Sequence, residues 1–265
     1  MRDEPGDLLG CRRCPSLGPG TRGKLSNAEG RGKFAPMPVY RLIDELVFPP
    51  PDRAEPDGLL ALGGDLSSER LLLAYKMGIF PWYSEGQPIL WWSPDPRSVL
   101  EPGEFRISRR LAQRIKGGTF KVTFDRAFSK VIEACSLVPR EGQHGTWITL
   151  EMKKAYIRLH RLGYAHSAES WFDGELVGGI YGVSLGRCFF GESMFYRRTD
   201  ASKVALSALV QRMKDWNLDL LDAQVTTGHL MSLGAKEIPR HLFLKRLAKS
   251  LRYPTKKGRW DADAP

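Results

Sequence analysis

Two adjoining stretches, His166-Ser-Ala-Glu-Ser-Trp-Phe-Asp-Gly-Glu-Leu-Val-Gly-Gly-Ile-Tyr-Gly-Val183 and Arg187-Cys-Phe-Phe-Gly-Glu-Ser-Met-Phe195, decide the fold class. Residues 166–172 and 175–183 read as strands, and Asp173-Gly174 between them is a two-residue hairpin signal, because the tight turn needs positive φ at both positions. Residues 187–195 add a third strand. Towards the C-terminus, Ala201 to Trp216 follows the 3.6-residue period through Val204, Ala205, Ala208, Leu209 and Arg212 or Met213, with Thr199 or Asp200 as cap. Leu218 to Val225 reads as a buried strand, and Pro239 opens a last helix with Phe243, Leu244, Leu247 and Leu251 on one face. Towards the N-terminus, Thr149 caps a helix carrying Met152, Tyr156 and Leu159 and ending at Gly163. Residues 125–138 read as a helix with Phe128, Val131, Ile132 and Cys135 inward, and 119–124 alternates like a strand. Ser108 caps a short helix to Lys116 with Leu111 and Ile115 on one face. Helices, then an antiparallel meander, then helix–strand–helix make an α/β (α+β) sheet domain.

The N-terminal part is built differently. Ser67 caps a helix over 68–77 with Leu71, Leu72 and Tyr75 inward and Gly78 as its stop, while Phe48-Pro49-Pro50-Pro51 is extended. The block Gly78–Arg97 holds Trp82, Trp91 and Trp92 with Phe80, Tyr83 and four prolines. Prolines keep a long helix or a central strand out of it. Its aromatic faces either fill a small core or stack on a flat partner such as a nucleobase. Residues 1–36 are dominated by Gly, Pro, Arg and Ser and read as a disordered extension, Met37 being the natural start of the patterned sequence. Their removal is expected to leave folding and activity intact. The expected organisation is 1–36 extension, 37–98 small N-terminal domain, 99–253 catalytic domain and 254–265 flexible tail.

With 42% hydrophobic and 26% charged residues, the 265-residue chain has the make-up of a soluble protein that needs no disulfide support. A net charge of +10 favours an anionic partner, nucleic acid or a membrane surface. No 18-residue apolar run or apolar leader is present, so the reading is cytoplasmic, without a membrane. Cys135 and Cys188 sit in apolar surroundings as core thiols, and Cys11-x-x-Cys14 has no second ligand pair for zinc. His144, His160, His166, His229 and His241 show no ligand spacing, and no phosphate-loop, dinucleotide or H-E-x-x-H motif occurs. Gly182-Val-Ser184-Leu-Gly186 has the letters of a nucleophile elbow, but a strand follows it instead of a helix, so it reads as a hairpin turn.

Three polar residues stand out inside apolar strands. Asp222 and Gln224 lie in Leu220-Leu-Asp-Ala-Gln-Val225, where positions i and i+2 of a strand face one side. Glu192 lies in Phe189-Phe-Gly-Glu-Ser-Met-Phe195. Such groups either satisfy one another as a buried network or line a cleft.

Several ordered motifs resemble the leucyl/phenylalanyl-tRNA–protein transferases of bacteria. They are Asp57-Gly-Leu-Leu-Ala-Leu-Gly-Gly-Asp-Leu66, the Gly78–Arg97 block, Gly145-Thr-Trp-Ile-Thr149, Ala165-His-Ser167, Leu176-Val-Gly-Gly179, Gly191-Glu-Ser-Met-Phe195 and Asp222-Ala-Gln-Val225. The resemblance implies a small N-terminal domain joined to a domain similar to the GNAT acyltransferases, with a mostly antiparallel mixed sheet. The acetyl-CoA loop of ordinary GNAT enzymes is missing before Ala201. It implies transfer of Leu, Phe or Met from aminoacyl-tRNA to proteins with an N-terminal Arg or Lys, marking them for N-end rule degradation. The ester is already activated, so no cofactor, ATP or metal is called for, and a monomer is expected. By the same resemblance Asp222 and Gln224 are the catalytic pair, with Asp222 either orienting Gln224 or attracting the cationic acceptor. Glu192 is a substrate-binding carboxylate, and Trp82 and Trp147 wall the 3′-terminal adenosine. Ile180, Met194 and Leu221 form the apolar donor pocket. Arg109, Arg110, Arg114 and Lys116 meet the tRNA body, although Ala112 and Gln113 stand where relatives can be basic. Two rivals remain: a tRNA-dependent transferase with a lipid-linked peptide acceptor, and a tRNA-binding module without catalysis.

Overall fold

The computed structural model describes residues 39–138 and 146–261. The readings of residues 1–36, of Met37 and of Cys11 and Cys14 lie outside these, as do His144 and Gly145. The chain opens with β1 (Tyr40–Leu42), β2 (Leu59–Gly63), α1 (Ser68–Lys76), β3 (Phe80–Pro81) and β4 (Leu90–Trp92). These strands form a four-stranded sheet in the order β1-β2-β4-β3. α1 starts where expected because the Ser67 hydroxyl accepts the Arg70 N–H, and Gly78 follows it at φ 72°. The aromatic block does place a strand inside the sheet, but β4 is only three residues long.

The second sheet gathers the rest: β5 (Arg97–Leu100), α2 (Arg109–Lys116), β6 (Lys121–Phe124), α3 (Phe128–Ser136), α4 (Leu150–Arg161), β7 (Ala165–Phe172), β8 (Glu175–Leu185), β9 (Cys188–Tyr196), α5 (Ala201–Asp215), β10 (Leu220–Gln224), α6 (Gly228–Ser232), β11 (Lys236–Ile238) and α7 (Arg240–Ser250). Its order is β11-β5-β10-β9-β8-β7-β6, and every pairing is antiparallel except β9 with β10. That parallel pair requires a crossover, which α5 supplies. The β7–β8 turn has Asp173 at φ 50° and Gly174 at φ 78°, the two positive values that the Asp-Gly pair foretold. Because β5 begins at Arg97, the chain enters the second sheet just ahead of the boundary expected at 98.

One apolar core joins both sheets, holding Leu60, Ala61 and Trp91 together with Val131, Tyr156 and Tyr181. The second core, on the α5 side, holds Ile180, Phe189, Met194, Leu209 and Leu221. Three local expectations change. Ile115 is 38% exposed, since α2 buries only Leu111. Asp200 sits at φ 71° with no side-chain cap, because its carboxylate pairs with Arg114 and Lys203 instead. Trp91, in the core that joins both sheets, meets Phe48 edge-on and donates to Gly63 O, and Trp92 donates to Trp82 O. The expected tail from 254 onward is anchored at Trp260, which is buried. Among the described residues no helix is long and apolar enough to cross a membrane.

Candidate functional site

β9 and β10 run side by side from Leu220 opposite Cys188 to Asp222 opposite Phe190, and there their pairing stops. Both strands are irregular at that point. β9 carries Glu192 as an extra residue between the partners of Tyr181 and Gly182. β10 shifts register between Asp222 and Gln224, where Gln224 takes φ 62°. Bulges re-aim side chains, so Asp222 and Gln224 do not share a face by simple alternation. Asp222 Oδ1 accepts the Gln224 N–H at 2.9 Å, an Asx-type turn that holds the unusual backbone.

The two bulges bring Glu192 and Gln224 together. Gln224 Nε2 donates to Glu192 Oε1 at 2.9 Å, Tyr75 Oη donates to the same oxygen at 2.7 Å, and Tyr156 Oη meets Oε2 at 2.9 Å. The two tyrosine hydroxyls also touch each other. Three oxygen–oxygen contacts among Tyr75, Tyr156 and Glu192 need three protons, and two phenols bring two. The ring is complete when Glu192 carries the third. Burial pushes the Glu192 carboxyl up to about 7, outweighing the hydrogen bonds from Tyr75, Tyr156 and Gln224 that favour the anion. Both tyrosines are driven well above their ordinary range by burial and by the neighbouring carboxylate.

Asp222 has a different partner. Arg97 grips it with Nε at 2.8 Å and Nη2 at 2.7 Å, and both side chains are fully buried. Arg97 Nη1 donates to Gly78 O at 3.1 Å, and its guanidinium lies over the Phe80 and Phe243 rings. Both Asp222 oxygens are thus occupied, and the side chain is unexposed.

The other sequence-chosen residues divide among three places. Trp82 and Trp147 belong to the core shared by the two sheets, beside Tyr83, whose hydroxyl meets Thr149 Oγ1 at 3.2 Å. Ile180, Met194 and Leu221 are buried on the α5 side, next to the gap where β9 and β10 part. Arg109, Arg110 and Lys116 are exposed on α2, whereas Arg114 donates to Thr199 O and pairs with Asp200, fastening α2 to α5. Arg97, Tyr75 and Tyr156 were not among the chosen residues. Tyr75 and Tyr156 fitted the apolar faces of α1 and α4 and passed as core. A buried tyrosine hydroxyl needs a partner, and that was the available signal. Two surface grooves of about 510 and 700 Å³ share Trp171 near the far edge of the sheet and include none of these residues.

The leucyl/phenylalanyl-tRNA protein transferase model matches residues 99–248, and the model for that family's N-terminal domain matches 64–95. A leucyl/phenylalanyl-tRNA–protein transferase of Anaeromyxobacter sp. (strain Fw109-5) is 59% identical over 228 residues, covering 86% of this chain and 97% of the relative. One from Myxococcus xanthus (strain DK1622) is 54% identical over 230 residues, covering 86% and 98%. Likeness to solved structures is looser. L-PGS from Bacillus licheniformis matches with a TM-score of 0.36 and 14% identity over 60% of this chain and 51% of its own. A GCN5-related N-acetyltransferase-like protein from Streptococcus suis 89/1591 matches at 0.29 and 14%, over 68% and 60%. These are too distant to carry a functional argument.

Proposed function

This chain belongs to the leucyl/phenylalanyl-tRNA–protein transferase family, and from that premise we infer how its residues move Leu or Phe from aminoacyl-tRNA to a protein N-terminus. The observation that carries the reading is the linked set Arg97–Asp222–Gln224–Glu192 at the parting of β9 and β10. The donor ester is already activated. The acceptor α-amine has a pKa of about 8, so roughly a tenth is neutral at pH 7. The attacking nitrogen gives up one proton and the departing ribose oxygen gains one, so the task is to position groups and guide a proton.

Gln224 is the residue suited to orient the amine. Its Nε2 is committed to Glu192, which turns the amide oxygen outward as an acceptor for the amine N–H. Asp222, fixed by Arg97, sets the Gln224 backbone. Glu192 is read as the carboxylate that binds a cationic N-terminal Arg or Lys, which reaches it when one of the bonds from Tyr75, Tyr156 or Gln224 gives way. An approaching cation favours its ionised form, so acceptor binding and loss of the Glu192 proton are coupled. Trp82 and Trp147 receive the terminal adenosine, and Ile180, Met194 and Leu221 receive Leu, Phe or Met. The chain acts as a monomer in the cytoplasm, where charged tRNA is found, on acceptors destined for N-end rule degradation.

The deciding assay incubates the protein with Phe-tRNA and a peptide beginning with Arg or Lys and looks for the extended peptide. Activity only on a lipid-linked peptide, or tRNA binding without transfer, would favour the rivals. Gln224→Ala is expected to lower kcat by about 100-fold, the usual order for a polar group lost at a reacting centre, with tRNA affinity kept. A loss under threefold would remove Gln224 from the chemistry.

The exposed Arg109, Arg110 and Lys116 make α2 the surface for the tRNA body. Charge reversal at Arg109 and Arg110 is expected to raise KM for aminoacyl-tRNA and to flatten its salt dependence, each lost phosphate contact reducing the slope by about 0.9. An unchanged slope would count against this surface. Arg114 is better read as the fastener of α2, through Thr199 and Asp200.

A further inference from the structure

We propose that Trp260 sets the depth of the donor side-chain pocket by fixing the ring of Phe189, and thereby determines how the enzyme ranks Leu against Phe. This rests on the reading that Ile180, Met194 and Leu221 line that pocket. Trp260 lies beyond the matched residues 99–248, in the segment expected to be a free tail.

Its placement is determined from several directions at once. Its ring stacks on His166 at 3.9 Å and 8°, and meets Trp216 edge-on at 5.1 Å and 88°. Its N–H donates to Asp125 Oδ2 at 2.8 Å, its carbonyl accepts from Arg212, and its indole N–H donates to Lys256 O at 3.1 Å. Asp125 is itself held, accepting the Ser167 N–H at 2.9 Å and bonding His166 Nδ1 at 2.8 Å. One contact suffices to stop a terminus fraying. This many directional ones fix where an aromatic plane sits.

The indole also meets Phe189, tilted at 44° with the ring centroids 5.8 Å apart. Phe189 is the cross-strand partner of Leu221 and shares its apolar cluster with Ile180 and Met194. The ring also lies against Gly182, where a Cβ would come 2.5 Å from Phe189 Cε1. Phe189 thus touches both a bare glycine on β8 and the Trp260 indole. Removing the Trp260 side chain would leave room into which the Phe189 ring could withdraw. Withdrawal deepens the pocket, which favours the longer donor. Trp260 acts through Phe189 and is a positioning residue.

The test compares kcat/KM for Leu-tRNA and Phe-tRNA with one Arg-starting peptide, in the full-length protein and in Trp260→Ala and Trp260→Phe. Trp260→Ala is expected to move the ratio towards Phe by about tenfold, the scale of a methylene-sized change in an apolar pocket, with Trp260→Phe between it and the parent. A purely structural role would lower both donors equally, and a ratio unchanged within twofold overturns the proposal. If Trp260→Ala fails to fold by circular dichroism, Trp260→Phe and Trp260→Leu decide on the same criterion. Met194→Ala separates the two ideas. If it shifts the ratio and the Trp260 variants do not, only the Trp260 proposal falls. If none of them shifts it, the pocket reading falls as well.

Discussion

Replacing Arg97 with methionine is expected to lower the unfolding free energy by about 3–5 kcal/mol, because the buried Asp222 loses its cationic partner. Both side chains are fully buried, and Arg97 supplies both of Asp222's close cationic contacts. For a domain of this size the loss lowers Tm by roughly 10 °C. Arg97→Met combined with Asp222→Leu is expected to recover most of it, since a buried ion pair is seldom better for stability than well-packed apolar residues. The double variant is not expected to regain transfer, because the Gln224 N–H has lost the carboxylate that holds its positive φ. Urea melts and the transfer assay together check this. A single-variant loss below about 1 kcal/mol would mean that water reaches Asp222 and that the pair is not the anchor described.

Glu192→Gln is expected to act in opposite directions on stability and on activity. Burial raises the Glu192 carboxyl from its ordinary 4.5 to about 7 in the folded chain. Between those values the unfolded chain gives up the proton and the folded chain keeps it, so stability falls as pH rises. The cost is absent below about pH 4.5, grows through the interval and is complete above 7, where it reaches roughly 3 kcal/mol. Glutamine removes the charge while keeping an oxygen for Tyr75 or Gln224 and an N–H for a tyrosine oxygen. The variant should match the parent near pH 4.5 and exceed it at pH 8, while transfer falls at least about tenfold and loses the limb near pH 7 from its pH–rate profile. Equal melting curves at pH 8 would show that Glu192 is ordinarily ionised in the folded chain.

Much of the fold was legible because local signals and tertiary packing agree. Ser67, Ser108 and Thr149 all accept a backbone N–H at the expected helix starts, and Asp173-Gly174 turns as its residue types require. Readings failed where a side chain had two possible employers. Asp200 had the composition of a cap but serves Arg114, and Ile115 had the spacing of a core residue on a helix too exposed to bury it. The polar trio Glu192, Asp222 and Gln224 was visible because polar groups in apolar strands need explaining. Their partners were not. Arg97 lies 125 positions from Asp222, Tyr75 lies 117 from Glu192, and both bulges depend on pairing that no single strand records. The periodicity that placed the strand does not reach Gln224, because the register shifts between it and Asp222.

The contact between Arg97 and the Gly78 carbonyl bears on how this enzyme could be taken apart or recombined. Gly78 closes α1, and Tyr75, one turn earlier on the same helix, bonds Glu192. The N-terminal part therefore contributes interior parts of the proposed site, from α1 and the residue that ends it. A hybrid joining the first ninety-odd residues of one relative to the remainder of another must match a carbonyl, a phenol and a guanidinium across the junction. The two halves are in this sense a single inherited unit, and a crossover between α4 and β7 is no safer, since it would part Tyr75 and Tyr156 from Glu192 and Arg97 from Asp222.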